Sequence, residues 1–383
     1  MYMNPRNTMV ILPNFLQPFL TWLTGMPLLN QAPQFRWNAL GLGIVTAGQI
    51  VLGLLIGLFA LNIPVVFGIL PLIASWLSVA GGIRMFFAVI EHQCTHYKYN
   101  QNPNLDVKRR RNKAIAEVIA VLFWVESYKD FRDGHIIHHI STRLERDPEN
   151  ILLYQCGLRA GMTGRQLVWQ LVKTVLSPMF YVRVLIDNTR SNFEGTAFRK
   201  IATVGYLCAL AFAVFYFNVV WYFTMLWLVP VLIFSPISMV INTLTEHRWP
   251  ELNPESSSKE EGVYVGRFCG DAVPDTTNAS ALAWISRWAV WWFRLFFVHL
   301  PYRLFILVGD LPQHDLHHRF PATDWMNATY LRPEYVRSGK LNGNTDVWGT
   351  MMDHIYDSAN PPKRVSAAFV EMLTNKKEPK ATS

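Results

Sequence analysis

The chain has 383 residues, of which 51% are apolar, 14% aromatic and only 16% charged, against about 25% charged in soluble domains. That composition excludes an ordinary soluble protein, and the length suits one large membrane domain. The net charge of +8 would fit a nucleic-acid binder, but its basic residues lie between long apolar stretches, which excludes that class.

The first element, residues 14–26 (NFLQPFLTWLTGM), reads as a helix lying on a membrane surface. Pro13 and Pro18 interrupt its apolar run and no small-residue cleavage site follows, so it is not a cleavable signal. Next come 47 residues without Lys, Arg, Asp or Glu, between Arg36 and Arg84. A second such stretch of 45 residues lies between Lys200 and Glu246. A span needs about 20 apolar residues, so each stretch holds two spans joined by a tight turn. The turns read as Asn62-Ile63-Pro64 and the neighbourhood of Asn218. The predicted spans are 38–61 with 64–90 and 202–220 with 222–245.

Each hairpin returns the chain to the side it left. Residues 91–200 and 246–330 therefore share one face of the membrane as a helical cap. Lys108, Arg109, Arg110, Arg111 and Lys113 fall on that face, while the hairpin turns carry no Lys or Arg. This positive-inside pattern predicts a multi-pass membrane protein with both termini and the cap in the cytosol. The basic run is either a solvated loop or a contact with anionic headgroups. Residues 114–125 are too short to span and read as re-entrant or interfacial. Residues 284–310 are interrupted by Arg287, Arg294 and Arg303 and read as an amphipathic helix at the headgroup level, a further crossing being the alternative. Residues 251–262 read as an exposed loop, and from Pro361 the tail turns basic and loosely ordered. The predicted organisation is an N-terminal interfacial segment (1–36), a membrane domain (37–330) and a C-terminal cytosolic tail (331–383). Cys94, Cys156, Cys208 and Cys269 show no metal or disulfide spacing, in keeping with a reducing compartment.

Nine of the eleven histidines fall in four places. His92 and His96 follow the first hairpin, and His247 follows the second. His135, His138 and His139 form one H-x-x-H-H triplet, and His314, His317 and His318 form another. Residues i, i+3 and i+4 share a helix face, so each group can turn its imidazoles to one point. Neutral imidazole ligates transition metals, and nine exceed the four ligands of a zinc site. They suit two ions of higher coordination number. Imidazole-rich sites with open positions suit iron, although the spacing also admits manganese, copper and zinc. Nine unliganded charged imidazoles would repel one another, and pH sensing does not need helical spacing. Glu91, Asp133, Glu246 and Asp315 flank the boxes and are candidate partners for the outer ring N–H of ligating histidines. Asp147-Pro148 reads as the end of a helix and the cap of a turn. His299 reads as structural and His354 as a surface residue. Arg132, Arg143 and Arg319 stand beside boxes, where they can meet a lipid headgroup or a redox partner. Phe123, Trp124 and the aromatics of 284–298 are candidates for lining a lipid channel, or else for core and membrane-belt positions.

The ordered set "HQCTH", "HIIHH" and "HDLHH" resembles the membrane fatty acid desaturase and hydroxylase superfamily over about residues 40–330. The resemblance implies an all-α membrane protein of four spans in two hairpins, capped by a cytosolic helical domain. It implies a di-iron centre, O2 as oxidant and electrons from a separate ferredoxin, rubredoxin or cytochrome b5-type carrier with its reductase. Its ligands would be His92, His96, His135, His138, His139, His314, His317 and His318, with His247 matching the extra histidine after the fourth span. The two residues between His135 and His138 are desaturase-like, whereas "TEHRW" is similar to the extra motif of alkane hydroxylases.

An alkyl C–H bond offers no acid, base or leaving group, so a side chain alone cannot break it. The expected function is therefore metal-dependent, O2-dependent oxidation of a fatty acyl or related lipid chain. Desaturation leads; hydroxylation of a lipid or alkane and oxidative decarboxylation to a terminal alkene are the alternatives. A membrane metal-binding or transport protein is the competing class. It would need polar groups within the spans, and both long stretches lack charged residues.

Overall fold

The computed structural model describes residues 4–33, 36–249, 263–343 and 346–359. The loop expected at 251–262 and the tail from 361 lie outside them. The described residues are mostly helical, with one short two-stranded sheet.

Helix α1 (Gln17–Thr24) ends at Gly25, which takes a left-handed φ of 78° against Pro312. Four helices are long and apolar enough to cross a membrane: α2 (Ala39–Leu61), α3 (Val65–Thr95), α9 (Ala197–Tyr216) and α10 (Val220–Glu246). They match the four expected spans, and the turns fall at Asn62–Pro64 and at Asn218, whose φ is 51°. Asn38 caps α2 by accepting from the Gly41 N–H. Helices α2 and α3 pack closely because small residues let the backbones approach. A Cβ on Gly57 would collide with Ser75 and Leu226.

Helix α3 outruns the expected span by about one turn and carries the first histidine box at its end. A π-helical segment, Met85–Glu91, immediately precedes His92. Such widened turns concentrate at functional sites.

The cap follows in two parts. Between the hairpins come α4 (Leu105–Phe123), α5 (Tyr128–Ser141), α6 (Pro148–Gln155), α7 (Gly164–Leu176) and α8 (Pro178–Phe193). The expected short element at 114–125 is the second half of α4, which starts at the Asn104 cap and runs through the basic cluster without a break. It stops at Trp124, whose φ is 54°. After α10, strand β1 (Arg267–Cys269) pairs in parallel with β2 (Val347–Gly349). The expected amphipathic helix is α11 (Ala281–Arg294), which continues through Leu295–His299 and Leu300–Phe305. Leu282, Ile285, Phe293 and Phe297 face outward, while Trp291 and Leu295 pack on Leu20 and Leu23 of α1. Short helices α12 (His314–Arg319), α13 (Ala328–Arg337) and α14 (Met351–Ala359) close the cap.

His299 is buried and faces Asp271 at 2.8 Å, as a structural residue would. His354, read from sequence as a surface residue, is fully buried and receives the Tyr302 hydroxyl at 2.8 Å. The amphipathic period of α14 turns His354, Ile355 and Ser358 inward, a pattern that its short polar sequence hides.

Candidate metal centre

The structure brings all nine histidines together and divides them into two groups. His92, His96, His135, His139 and His317 form the first; His138, His247, His314 and His318 form the second. Within each group the ligand atoms lie within 4.8 Å of one another.

The partition follows helix geometry. In α5, His135 and His139 stand four apart on one stripe and serve the first group. His138 sits between stripes and serves the second. In α12 the roles are exchanged: His314 and His318 serve the second group and His317 the first.

The contacts are not hydrogen bonds among rings. His135 Nε2 approaches His92 Nε2 at 2.8 Å, His96 Nε2 at 3.0 Å and His139 Nε2 at 2.8 Å. One ring nitrogen carries at most one proton or one in-plane lone pair, so it cannot bond three others. Lone pairs aimed at one cation remove the conflict. Nitrogens about 2.1 Å from a metal lie about 3.0 Å apart at a right angle and about 3.4 Å apart at a tetrahedral one. In the first group five ring pairs lie 2.8 to 3.0 Å apart. The second shows 2.8 Å for His314–His318, 3.2 Å for His138–His318 and 3.3 Å for His138–His247. The donor set thus fits two transition-metal ions.

Protonation agrees. Burial, followed by the neighbouring imidazoles, holds His135, His317 and His318 well below the ordinary histidine range. Burial and the charges of Arg132 and Lys98 bring His96 down to about 4. At neutral pH these rings keep free lone pairs.

The supporting groups differ from the sequence expectation. Asp147, read as part of a helix end, instead caps the start of α6 through the Glu149 N–H. Its carboxylate also accepts from His138 Nδ1 at 3.0 Å and from the Arg143 N–H at 2.6 Å. A carboxylate can only accept, so His138 Nδ1 carries a proton and Nε2 is the nitrogen turned toward the cluster. Glu246 Oε1 lies 2.9 Å from His314 Nε2, the nitrogen that faces the cluster, and so stands on the ligand side. Asp133 faces solvent and pairs with Lys129 at 3.1 Å, because two residues of helix turn it away from His135. Asp315 is clamped by the Arg332 Nε and Nη2 at 2.9 and 2.7 Å, and Arg332 also holds Asp346. Glu91 is fully buried, and neither of its carboxylate oxygens has a hydrogen-bond partner among the described residues. Arg143 is buried too. It donates to the carbonyls of Thr243 and His247, fixing the end of α10. Trp325 covers the first group, with its ring 3.5 Å from His317 and 4.6 Å from His96. Tyr264 stacks on His318 at 4.8 Å.

A cavity of about 440 Å³ opens beside the centre and is lined by His92, His135, His138 and His314. Phe87, Ala88, Phe131, Leu152, Val184 and Met239 supply apolar wall. Arg84, Glu149 and Glu246 supply charge, and burial pushes the Glu149 carboxyl well up. Phe123 and Trp124 do not line it. Phe123 stacks on Phe86 in the core and Trp124 packs on Phe193.

Four helices long and apolar enough to cross a membrane, with nine histidines gathered into two groups that could each hold a metal ion, point to the class of membrane metalloenzymes. The fatty acid desaturase family profile matches residues 67–341, well over half of the chain, and the chain belongs to that family. It is accordingly an integral membrane, desaturase-like oxidoreductase that acts by lipid desaturation or a related oxidation. No curated protein and no solved structure matches it.

Proposed function

We propose that this protein uses two iron ions and O2 to oxidise an unactivated C–H bond of a fatty acyl or related lipid chain, with desaturation as the reaction. The observation that carries the proposal is the division of nine imidazoles into a five-member and a four-member group whose inner edge lines a largely apolar cavity. Reduced iron with O2 supplies an oxidant able to remove a hydrogen atom from an alkyl chain, which no side chain can do.

The chain's own residues do the rest. His92, His96, His135, His139 and His317 hold one ion; His138, His247, His314 and His318 hold the other. Glu246, on the ligand side of His314, contributes a carboxylate to the second. Asp147 fixes the His138 tautomer and ring plane. The walls formed by Phe87, Phe131, Leu152 and Met239 hold an acyl segment against the cluster and keep water out. Both hairpins deliver their histidines to the same end of the bundle. The basic residues on that side support a cytosolic site, within reach of a soluble electron carrier.

The test is elemental analysis of the purified protein, followed by expression with a reductase system and lipid and headspace mass spectrometry. Two irons per chain and a new double bond support the reading. A single tightly held zinc overturns it. An alcohol or a terminal alkene as product would keep the centre and replace desaturation with hydroxylation or decarboxylation.

A further inference from the structure

One wall of the cavity is a stripe of α3. Arg84, Phe87, Ala88 and His92 follow one another along it, and all four line the cavity. The spacing uses the π-helical turn. Phe87 and His92 stand five apart, the repeat of such a turn, so His92 rather than Glu91 lines the cavity. The stripe puts a guanidinium and a histidine of the first group on one surface, with apolar side chains between them.

Arg84 is only 5% exposed. The other buried arginines are committed. Arg332 clamps Asp315 and Asp346, Arg248 and Arg267 hold Asp357, and Arg199 pairs with Glu117. Arg6, Arg143 and Arg303 donate to backbone carbonyls. Arg84 is the exception. Its Nε has no hydrogen-bond partner, and among the described residues its guanidinium forms no ion pair. The Phe87 ring lies 5.8 Å from it. Burying a charged donor without an acceptor is costly, so the site is built for an acceptor that the chain does not supply.

The acids nearby are otherwise engaged. The charges of Glu246 and Glu149 reach Arg84. Yet Glu246 accepts from Asn242 Nδ2 at 3.2 Å and lies 2.9 Å from His314, and Glu149 lies 3.6 Å from His138. Glu126 and Asp187 line the cavity from the cap, and among the described residues Arg84 is its one lining Lys or Arg. An anion in the cavity therefore has a single place to go. A guanidinium fork matches a carboxylate. Because Arg84 is enclosed, the anion that meets it cannot carry a bulky headgroup. An ester or thioester has no charge at its acyl carbon, whereas an unesterified acid does. The tail of such an acid has a way onward, since Leu152 and Val184 also line a second cavity of about 360 Å³ that reaches Met179 and Phe180 of α8.

We propose that Arg84 binds the carboxylate of a free fatty acid inside the cavity, so that the carboxyl end of the chain lies along Phe87 and Ala88 beside the histidine centre. The inference rests on the oxidase reading above and names its substrate class: unesterified acids rather than esters or carrier-bound thioesters.

The test uses the full-length, iron-loaded protein in detergent, without O2 or reductant, so that ligands bind and are not turned over. Binding of tritiated dodecanoate and of tritiated methyl dodecanoate is measured for wild type, Arg84→Gln and Arg84→Lys. A double variant, Lys173→Gln with Arg183→Gln, removes two exposed cations that line the second cavity. Wild type should prefer the acid by about tenfold or more. Arg84→Gln should abolish that preference while the ester binds as before. Arg84→Lys should keep only part of it, having lost the bidentate geometry. The double variant should match wild type. Equal binding of acid and ester by wild type overturns the proposal. So does an acid preference that survives in Arg84→Gln, or one that falls only in the double variant, which would place the carboxylate at the second cavity. Should Arg84→Gln not fold, Arg84→Lys takes its place, and an unreduced preference there overturns the proposal. Failure of the oxidase reading shows separately. Iron-dependent oxidation of a dodecanoyl ester or thioester, but not of dodecanoate, sinks the acid site and leaves the oxidase standing. A chain that holds no iron overturns the oxidase reading whatever it binds.

Discussion

The five-histidine group lies under the indole of Trp325, whereas the four-histidine group is bordered by the carboxylates of Asp147 and Glu246. Both draw on the same two short helices, α5 and α12, yet they meet different surroundings. An all-imidazole site adds no negative charge to its ion. A site with a carboxylate at its edge offsets part of the ionic charge and orients its ligands through fixed hydrogen bonds. The comparison teaches that residue type alone does not define a metal site: the same nine side chains make two unlike environments.

The strongest challenge to this contrast is loss of one ligand from each group. His135→Ala should empty the first site and His138→Ala the second. Elemental analysis should show at least half of the metal lost in either variant, with activity down by more than the roughly 100-fold that marks the upper end for outer partners. A variant that kept full iron would break the assignment of its group.

Next in size is the clamp beneath α12. Arg332→Met leaves Asp315 and Asp346 without their buried cation, and should lower unfolding free energy by about 3–5 kcal/mol. Thermal unfolding of the metal-free protein reads this directly. An unchanged melt would show that α12 is held by packing alone.

Asp147→Asn sharpens the contrast further, since Asp147 holds a histidine of the second group. Metal affinity there should fall about 10–100-fold, and by more than that of the first group. Competition with a graded set of chelators would show the second ion weakened more than the first. Uniform weakening would mean that Asp147 supports the cap as a whole.

The smallest expected effect lies outside both groups and serves as their control. Burial, with the Arg267 charge, lowers His354 to about 3, from about 6.5 in an unfolded chain. Between these values the unfolded chain takes up a proton that the folded chain refuses. The contribution is whole above about 6.5 and is lost as pH falls toward 3. A pH series of melting temperatures on metal-free protein should slope down through that window, and His354→Gln should flatten part of the slope. An identical slope in the variant would assign the loss to the clustered histidines.

The spans and the nine histidines were legible because both obey simple periods: about 20 apolar residues to cross a bilayer, and i, i+3, i+4 to share a helix face. Of the supporting groups only Glu246 was, and it sits on the ligand side of His314. Glu91, Asp133 and Asp315 stand beside histidines in sequence, but a helix turns neighbours about 100° apart, so adjacency misleads. Asp147 lies nine residues from His138, and only the loop that folds back at Arg143, with its φ of 61°, brings the two together. Arg332 reaches Asp315 from another helix altogether. Trp325 and Tyr264 carried no motif; only the folded chain shows that each lies against a histidine.

The crossed allotment of His138 and His317 has a consequence for how the protein acquires its metal. Each triplet helix lends its middle histidine to the ion that the other helix mainly serves. The first ion to arrive must therefore fix the tilt of both α5 and α12, and in doing so it assembles most of the other site. Loading should then be cooperative, with singly filled chains scarce in a titration, because the ordering cost of the second site falls to the first ion. In linkage terms two ions so bound would be each other's effectors, joined through two short helices.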